Sequence, residues 1–296
     1  MDWKVALVGD SVLDNHYWLK NPVDDVREQL ERSLIALDPS HTSTIQTWNF
    51  AVDESTVRCV LYGRVPGGHY QAARLQAGMD PYPVDSDGVQ RPLELLRKAK
   101  PSHVVLSIGG NDARARFLQS RDPKKIAEMM VSDGFVDNLH KLIETIKEEI
   151  TPNIILVYVY MPQFTLCPIL SFLPPASTLQ ALLVNFSGLF IDVANKYSLP
   201  LIDLSRTFDP NNGTHYGSTP IEPSNISGQF IVDLLLKQVM LDFRFGEETG
   251  TRIYSGVGKE MLVQNASPGS GFNYASELQD FLDMKAAKKG SNCSIT

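Results

Sequence analysis

Short runs of apolar and β-branched residues alternate along most of the chain with longer segments of helical periodicity. The runs that predict strands are 4–9, 44–50, 103–108, 153–160 and 200–204. Two stretches, 103–108 and 154–159, are apolar at nearly every position, which is typical of central strands covered on both faces. The alternation predicts a three-layer α/β/α sandwich around a parallel sheet of about five strands.

Helical spacing is clearest between 135 and 150, where apolar residues form one stripe. The members of that stripe are Phe135, Leu139, Leu142, Ile143, Ile146 and Ile150. The same spacing predicts helices over 177–197 and 227–243. After residue 245, Gly, Ser, Asn and Lys dominate, so we predict an α/β domain over 1–245 and a partly disordered C-terminal appendage over 246–296.

The composition and net charge argue against several classes of protein. The 296 residues are 43% hydrophobic and 21% charged, which is typical of a folded globular protein. A net charge of −7 argues against a broad nucleic-acid surface, which needs basic residues to neutralise phosphates. No uncharged apolar run approaches the roughly 18 residues of a membrane helix, and the N-terminus lacks a signal-peptide pattern. We therefore expect a soluble cytoplasmic protein without a stable membrane span.

Cysteine usage adds two expectations. Cys59, Cys167 and Cys293 are too scattered for a disulfide framework or a cysteine zinc site, and we expect no cofactor. The last four residues, 293–296, loosely match a prenylation signal, with lysines just upstream. One lipid on Cys293 would provide only a weak membrane anchor. The alternative is a tail cysteine without a role.

Polar side chains follow two of the predicted strands directly. Ser11 lies in Gly9-Asp10-Ser11 after the first strand, and Asn111 lies in Gly109-Gly110-Asn111-Asp112 after the third. Ligands bind outside the carboxyl ends of strands in open parallel sheets, so both residues are candidate site residues. Taken singly, each segment is equally compatible with a helix cap or a simple turn.

The order and placement of these segments resemble those of the SGNH/GDSL hydrolase family, as does segment 49–56 after the second strand. The resemblance covers about 4–240 and implies a flavodoxin-like α/β/α fold that cleaves carboxylic esters. It further implies that Ser11 is the nucleophile, and that its N–H and the Asn111 amide stabilise the oxyanion. Asp10 and Gly110 would line this site.

The chain departs from the family pattern at the catalytic base. The family places a His there, with an Asp three residues before it, but the corresponding loop 219–228 contains no His. One alignment register puts Glu222 at the His position and Thr219 at the Asp position. A second register equates Glu222 with the Asp and Asn225 with the His. We prefer the first register because it keeps the Pro-Ser pair that follows.

A second departure concerns the oxyanion hole. Glu54 stands where the family has a glycine whose N–H binds the oxyanion. The Glu54 N–H can still act as a donor if the loop tolerates a side chain. A carboxylate near a developing oxyanion opposes catalysis, however, unless it points away or is neutralised.

Three alternatives for the missing base remain open. His215, in a Gly-containing loop before Glu222, would act as base with Glu222 orienting it. Glu222 would act directly if burial raised its pKa. His16 and His69 are weaker candidates.

These residues lead to two hypotheses for the function of the site. The first is a serine-dependent hydrolase of small carboxylic esters with a nonstandard base. The second is an inactive SGNH-like domain that binds a ligand or a partner. A metal site built from Asp10, Glu54, Asp112 and Glu222 is a weaker idea, because no recognised ligand spacing supports it.

Overall fold

The computed structural model describes residues 2–21, 24–40, 42–151, 153–163 and 176–292. Within them are the strands β1 (Trp3–Gly9), β2 (Ile45–Asn49), β3 (His103–Ser107), β4 (Ile154–Tyr158), β5 (Leu201–Asp203), β6 (Arg252–Ser255) and β7 (Leu262–Asn265). They form one sheet in the order β2-β1-β3-β4-β5-β6-β7. All neighbouring strands run parallel except β6 and β7, which are antiparallel.

Helices cover both faces of the sheet. Their bounds are α1 Val26–Leu37, α2 Val57–Tyr62, α3 Gly68–Gln76, α4 Pro92–Ala99, α5 Gly110–Phe117, α6 Pro123–Ser132, α7 Phe135–Glu149, α8 Ala176–Tyr197, α9 Asn225–Leu234, α10 Met240–Asp242 and α11 Tyr274–Asn292. A π-helical turn, Leu235–Val239, joins α9 to α10. The predicted helices over 135–150, 177–197 and 227–243 correspond to α7, α8 and the continuous segment from α9 to α10.

Alternate residues of the central strands supply two separate cores. Ala6 and Val8 of β1 pack in the core beneath α7 and α8, whereas Val5 and Leu7 pack in the core beneath α1 and α9. Successive strand side chains point to opposite faces, so a strand covered on both sides is apolar throughout. The predicted α/β/α fold class is confirmed.

The sheet has more strands than the five predicted from the sequence. Strands β6 and β7 come from the segment expected to be an appendage, and β6 pairs in parallel with β5. Tyr274 and Leu278 of α11 are also buried in the core beneath α7 and α8. Both strands are only four residues long and β7 is largely exposed, so neither has a continuous apolar pattern.

In the described part of the chain, one helix, Ser177–Tyr197, is long and apolar enough by composition to cross a membrane. In the fold one face of this helix packs into the core and the rest is intermediate or exposed. Its residues Phe186, Phe190 and Val193 are about 1% exposed and pack among the side chains of α7 and β4.

Candidate active site

Ser11 lies where β1 ends, at the mouth of an apolar pocket. The strand finishes at Gly9, whose φ of +135° and close approach to the Ser107 carbonyl exclude any residue with a Cβ. The pocket has a volume of about 230 Å³, and Ser11 is among its lining residues. Residues from α5, α8 and the segment after β4 form its apolar walls: Ala113, Phe117, Val159, Met161, Leu179, Leu182, Leu183 and Phe186.

The polar members of the pocket meet at the carboxyl end of the sheet. Ser11 and Asp10 follow β1, Asn111 lies in the first turn of α5 after β3, and Glu222 arrives from the loop before α9. The structure therefore brings together four of the residues singled out in the sequence, with Gly110 between them. Asn225 is exposed at the start of α9 instead, so the register that places Glu222 beside the nucleophile describes the geometry.

Glu222 interacts directly with the nucleophile candidate. The Ser11 side chain lies close enough to the Glu222 carboxylate for hydrogen bonding between them to favour the ionised form of Glu222. Burial and the nearby charges of Asp53 and Asp10 act the other way and outweigh it, raising the pKa of Glu222 to about 8. A glutamate with such a pKa can exchange a proton with a serine hydroxyl near neutral pH.

Backbone contacts hold the Glu222 loop against the β1 loop. The Asn15 side-chain amide donates to the Pro223 carbonyl at 3.3 Å. The Gly217 N–H donates to the Glu222 carbonyl at 2.8 Å, and the Thr219 hydroxyl accepts from the Glu222 N–H at 3.2 Å. These contacts fix the backbone from which the carboxylate reaches Ser11.

Asp10 contributes a second buried carboxyl group. It is 2% exposed, and its Oδ1 accepts hydrogen bonds from the Val12 N–H at 3.2 Å and the Ser107 hydroxyl at 3.4 Å. Burial, followed by the charges of Asp53 and Asp112, raises the pKa of Asp10 to about 7. Asp10 therefore shapes the turn that presents Ser11 and adds to the negative potential felt by Glu222.

Two hydrogen-bond donors are available for an oxyanion. The Asn111 side-chain amide donates one proton to the Ser55 carbonyl at 3.2 Å, which orients the amide and leaves its second N–H free for another acceptor. Among the described residues, the Ser11 N–H has no acceptor. Ser11 and Asn111 both line the pocket.

Glu54 adopts the backbone conformation of the glycine that the family has at this position. Its φ is +62°, in the left-handed region that non-glycine residues rarely occupy. Its side chain is about half exposed and forms an ion pair with Arg64 at 3.2 Å. The carboxylate is therefore neutralised outside the pocket, where it does not oppose an oxyanion. The Glu54 N–H is directed at the Asp53 carboxylate.

We expect Glu54→Gly to raise the free energy of unfolding by about 0.5–1 kcal/mol, because glycine removes the left-handed strain. Glu54→Gln keeps the strain and loses only an exposed ion pair, so its change should stay within about 0.5 kcal/mol. Urea denaturation of both variants measures the difference. A Gly variant less stable than the Gln variant would contradict the strain argument.

The structure does not bring the His215 side chain to the pocket. Its Nδ1 accepts a hydrogen bond from the Asp209 N–H at 2.9 Å, and its ring packs against Phe208 and Phe230. Burial lowers the pKa of His215, and Lys285 lowers it further. The expectation that His215 serves as a base oriented by Glu222 is not supported, because aromatic packing and the Asp209 N–H already hold the ring.

The two weaker histidine candidates lie elsewhere as well. His16 is 1% exposed, with its Nδ1 at 3.0 Å from Asp14 Oδ1, and it does not line the pocket. His69 is exposed and stacks on Tyr70. The described lining of the pocket contains no imidazole, and its carboxyl groups are those of Asp10 and Glu222.

The acidic residues do not form a metal site in the part of the chain that the structure describes. Asp112 instead accepts a hydrogen bond from the Val57 N–H at 3.0 Å and so caps α2. Glu54 points outward, as described above. Cys293, the candidate lipid attachment site, lies outside the described residues.

A buried hydrogen-bond network is centred on Asp14. Asp14 is fully buried and accepts hydrogen bonds from the Arg74 guanidinium at 3.2 Å, the Asp53 N–H at 3.0 Å and the Tyr82 hydroxyl. Sequence reasoning missed this network. Asp14 stands three residues after Ser11, and His16 is a nearby partner, but Asp53, Arg74 and Tyr82 lie 39 to 68 residues away along the chain. No local pattern predicts such pairings.

Solved structures of esterases and lipases share this fold. An acetyl-xylooligosaccharide esterase variant from Geobacillus Stearmophilus is 16% identical over 83% of this chain and 97% of that chain, with a TM-score of 0.50. A lipase from a goat rumen metagenome is 13% identical over 78% of this chain and 94% of that chain, with a TM-score of 0.51. No protein-family model and no curated protein matches the sequence. The structural likeness establishes the fold.

Proposed function

We propose that this chain, whose fold is SGNH hydrolase-like, is a serine hydrolase of carboxylic esters in which Glu222 replaces histidine as the general base. The observation that carries the proposal is that Ser11 and Glu222 line the same apolar pocket, with Ser11 close enough to lower the pKa of Glu222 through hydrogen bonding. A contact that served only to stabilise the fold would need neither a cavity nor N–H donors beside it.

The reaction follows from these positions. The Glu222 carboxylate accepts the Ser11 hydroxyl proton as the Ser11 oxygen bonds to the ester carbonyl carbon. The carbonyl oxygen becomes an oxyanion that the Asn111 amide and the Ser11 N–H stabilise. The C–O bond to the alcohol then breaks, and protonated Glu222 returns the proton to the leaving alkoxide. Water hydrolyses the resulting acyl-enzyme by the same steps.

The pocket indicates where the acyl group binds. Its walls beyond Ser11 are aliphatic and aromatic, so an acyl chain there is removed from water at roughly 25 cal/mol per Å² of buried apolar surface. A volume of about 230 Å³ is below the range of about 300–1,000 Å³ that is usual for drug-sized ligands. The pocket therefore suits a short or medium acyl chain.

Fluorophosphonate labelling of the intact protein tests the proposal. We expect one adduct, located on Ser11 by peptide mass spectrometry, and none in Ser11→Ala. His215→Ala should still label and should hydrolyse octanoyl esters within a few-fold of the wild-type rate, because His215 lies outside the pocket. A folded wild-type protein that neither labels nor hydrolyses such esters would overturn the proposal.

The second candidate function is ligand binding without turnover. Two observations favour it: the described lining of the pocket has no imidazole, and a pKa of about 8 leaves most Glu222 protonated at neutral pH. A fatty acid that stabilises the folded protein, together with absent labelling, would support this alternative. Ser11-dependent turnover would exclude it.

A further inference from the structure

Arg114 is an unexplained cation in the lining of the pocket. It lies on α5, three residues after Asn111 and four after Gly110, so all three share one face of the helix. One helical turn, about 5 Å along the axis, separates Arg114 from Asn111. The Arg114 side chain is exposed, and Phe117 continues the same face as apolar wall.

Within the described residues, no carboxylate forms an ion pair with Arg114. Its neighbour Arg116 differs, because Arg116 binds Asp133 at 2.9 Å and also donates to the Asp112 carbonyl. The stretch 164–175, whose sequence follows the pocket residues after β4, contains no Asp or Glu. Glu222, which also lines the pocket, responds to the charge of Arg114, which lowers the pKa of Glu222 slightly.

An unpaired guanidinium beside a reaction site is suited to bind an anion of the substrate. Guanidinium groups bind carboxylates and phosphates in a bidentate manner, and partial desolvation strengthens the contact. The anion cannot belong to the acyl chain, because a charge there would have to enter walls formed by Leu183 and Phe186. An anion on the alcohol would stay at the exposed mouth, where Arg114 lies.

We propose that Arg114 selects esters whose alcohol carries an anionic group, a carboxylate or a phosphate, while the apolar pocket holds the acyl chain. The inference rests on the proposed hydrolase function and specifies its substrate class. Arg114 acts through binding, so its loss should raise KM for anionic esters more than it lowers kcat.

Two matched substrate pairs test the selection. The first pair is a nitrophenyl octanoate bearing a ring carboxylate and the methyl ester of the same compound. The second is monooctanoylglycerol phosphate and monooctanoylglycerol, which distinguishes phosphate from carboxylate recognition. We expect wild-type kcat/KM to favour the anionic member by about 10- to 100-fold in at least one pair.

The variants separate recognition from other roles of Arg114. Arg114→Gln should reduce the preference to about one, whereas Arg114→Lys should retain part of it. Arg121→Gln is the matched control, because Arg121 is also exposed and without an ion pair in the described structure but does not line the pocket. It should leave the preference unchanged.

Two results would overturn the inference. One is a wild-type protein that does not distinguish the members of either pair. The other is an Arg114→Gln variant that slows both members equally and shifts the pH–rate profile to higher pH, which would mean that Arg114 serves only to keep Glu222 ionised.

A binding measurement keeps this inference separate from the proposed hydrolysis. Calorimetry with octyl phosphate and octanol requires no turnover, and Arg114→Gln should weaken octyl phosphate binding by at least about 10-fold without affecting octanol. Arg114-dependent binding without hydrolysis would refute the hydrolase and retain the recognition. Hydrolysis without a preference for anionic esters would retain the hydrolase proposal and refute recognition by Arg114.

Discussion

Replacing Glu222 with Gln is expected to lower kcat/KM for ester hydrolysis by about 10³-fold, within the range that general acid–base catalysis contributes. Gln occupies nearly the same volume but cannot accept the Ser11 proton. Glu247→Gln, at an exposed position on the surface, is the control and should retain wild-type activity. A Glu222→Gln variant that keeps more than a tenth of the wild-type rate would rule out Glu222 as the base.

The pH dependence of kcat/KM provides a second test of Glu222 as the general base. Only ionised Glu222 can act as base, so wild-type kcat/KM should rise with pH and level off above the Glu222 pKa of about 8. The residual activity of Glu222→Gln should lack this inflection. Steady-state kinetics across the neutral and alkaline range measure both profiles. A wild-type profile that levels off near pH 4.5 would contradict the assignment.

The free energy of unfolding of Glu222→Gln distinguishes the loss of a catalytic base from damage to the fold. The pKa of Glu222 is raised from 4.5 to about 8, so the folded protein holds a proton that the unfolded chain has released in that interval. The stabilisation is complete below pH 4.5 and is lost as pH rises through about 8. Glu222→Gln cannot ionise, so above pH 8 we expect it to be more stable than wild type, by about 1–3 kcal/mol.

Asp14→Asn should have the largest effect on folding, lowering the free energy of unfolding by about 3–5 kcal/mol. The substitution leaves the Arg74 guanidinium, which is 7% exposed, without its counter-charge. It also replaces an acceptor that serves Tyr82 and the Asp53 N–H with an amide that has only one acceptor oxygen. Urea denaturation at neutral pH measures the loss.

A surface ion pair provides the matched control for Asp14. Asp133→Asn removes the carboxylate that Arg116 binds, but Asp133 is 43% exposed, so its cost should be below about 1 kcal/mol. Equal effects of the two substitutions would contradict the role assigned to the buried network. Asp14→Asn should also slow ester hydrolysis in the fraction that remains folded, because the Asp53 N–H that Asp14 binds lies two residues before Ser55, whose carbonyl orients the Asn111 amide.

The sequence was most informative where a local pattern coincides with a physical requirement. Strands β1, β3 and β4 are apolar on both faces because helices cover both faces, and the apolar stripe of α7 is buried as its spacing predicts. Strands β6 and β7 left no such pattern, because each is short and lies at or beside the edge of the sheet. The Ser11 and Asn111 segments were recognisable because close turns at strand ends require glycine beside the polar residue.

Tertiary structure decided which groups act together at these positions. Glu222 rather than His215 lies beside Ser11, because the loop contacts of Asn15 and Gly217 place its carboxylate there while aromatic packing holds the imidazole elsewhere. Sequence alone determined the α/β layering and the two strand ends that carry the site, since both depend on neighbouring residues. Burial and contacts between segments far apart in the chain decide four features of the site. These features are the carboxylate beside Ser11, the raised pKa of Glu222, the Asp14 network and the exposed Arg114 side chain in the pocket lining. Those quantities exist only once the chain has folded.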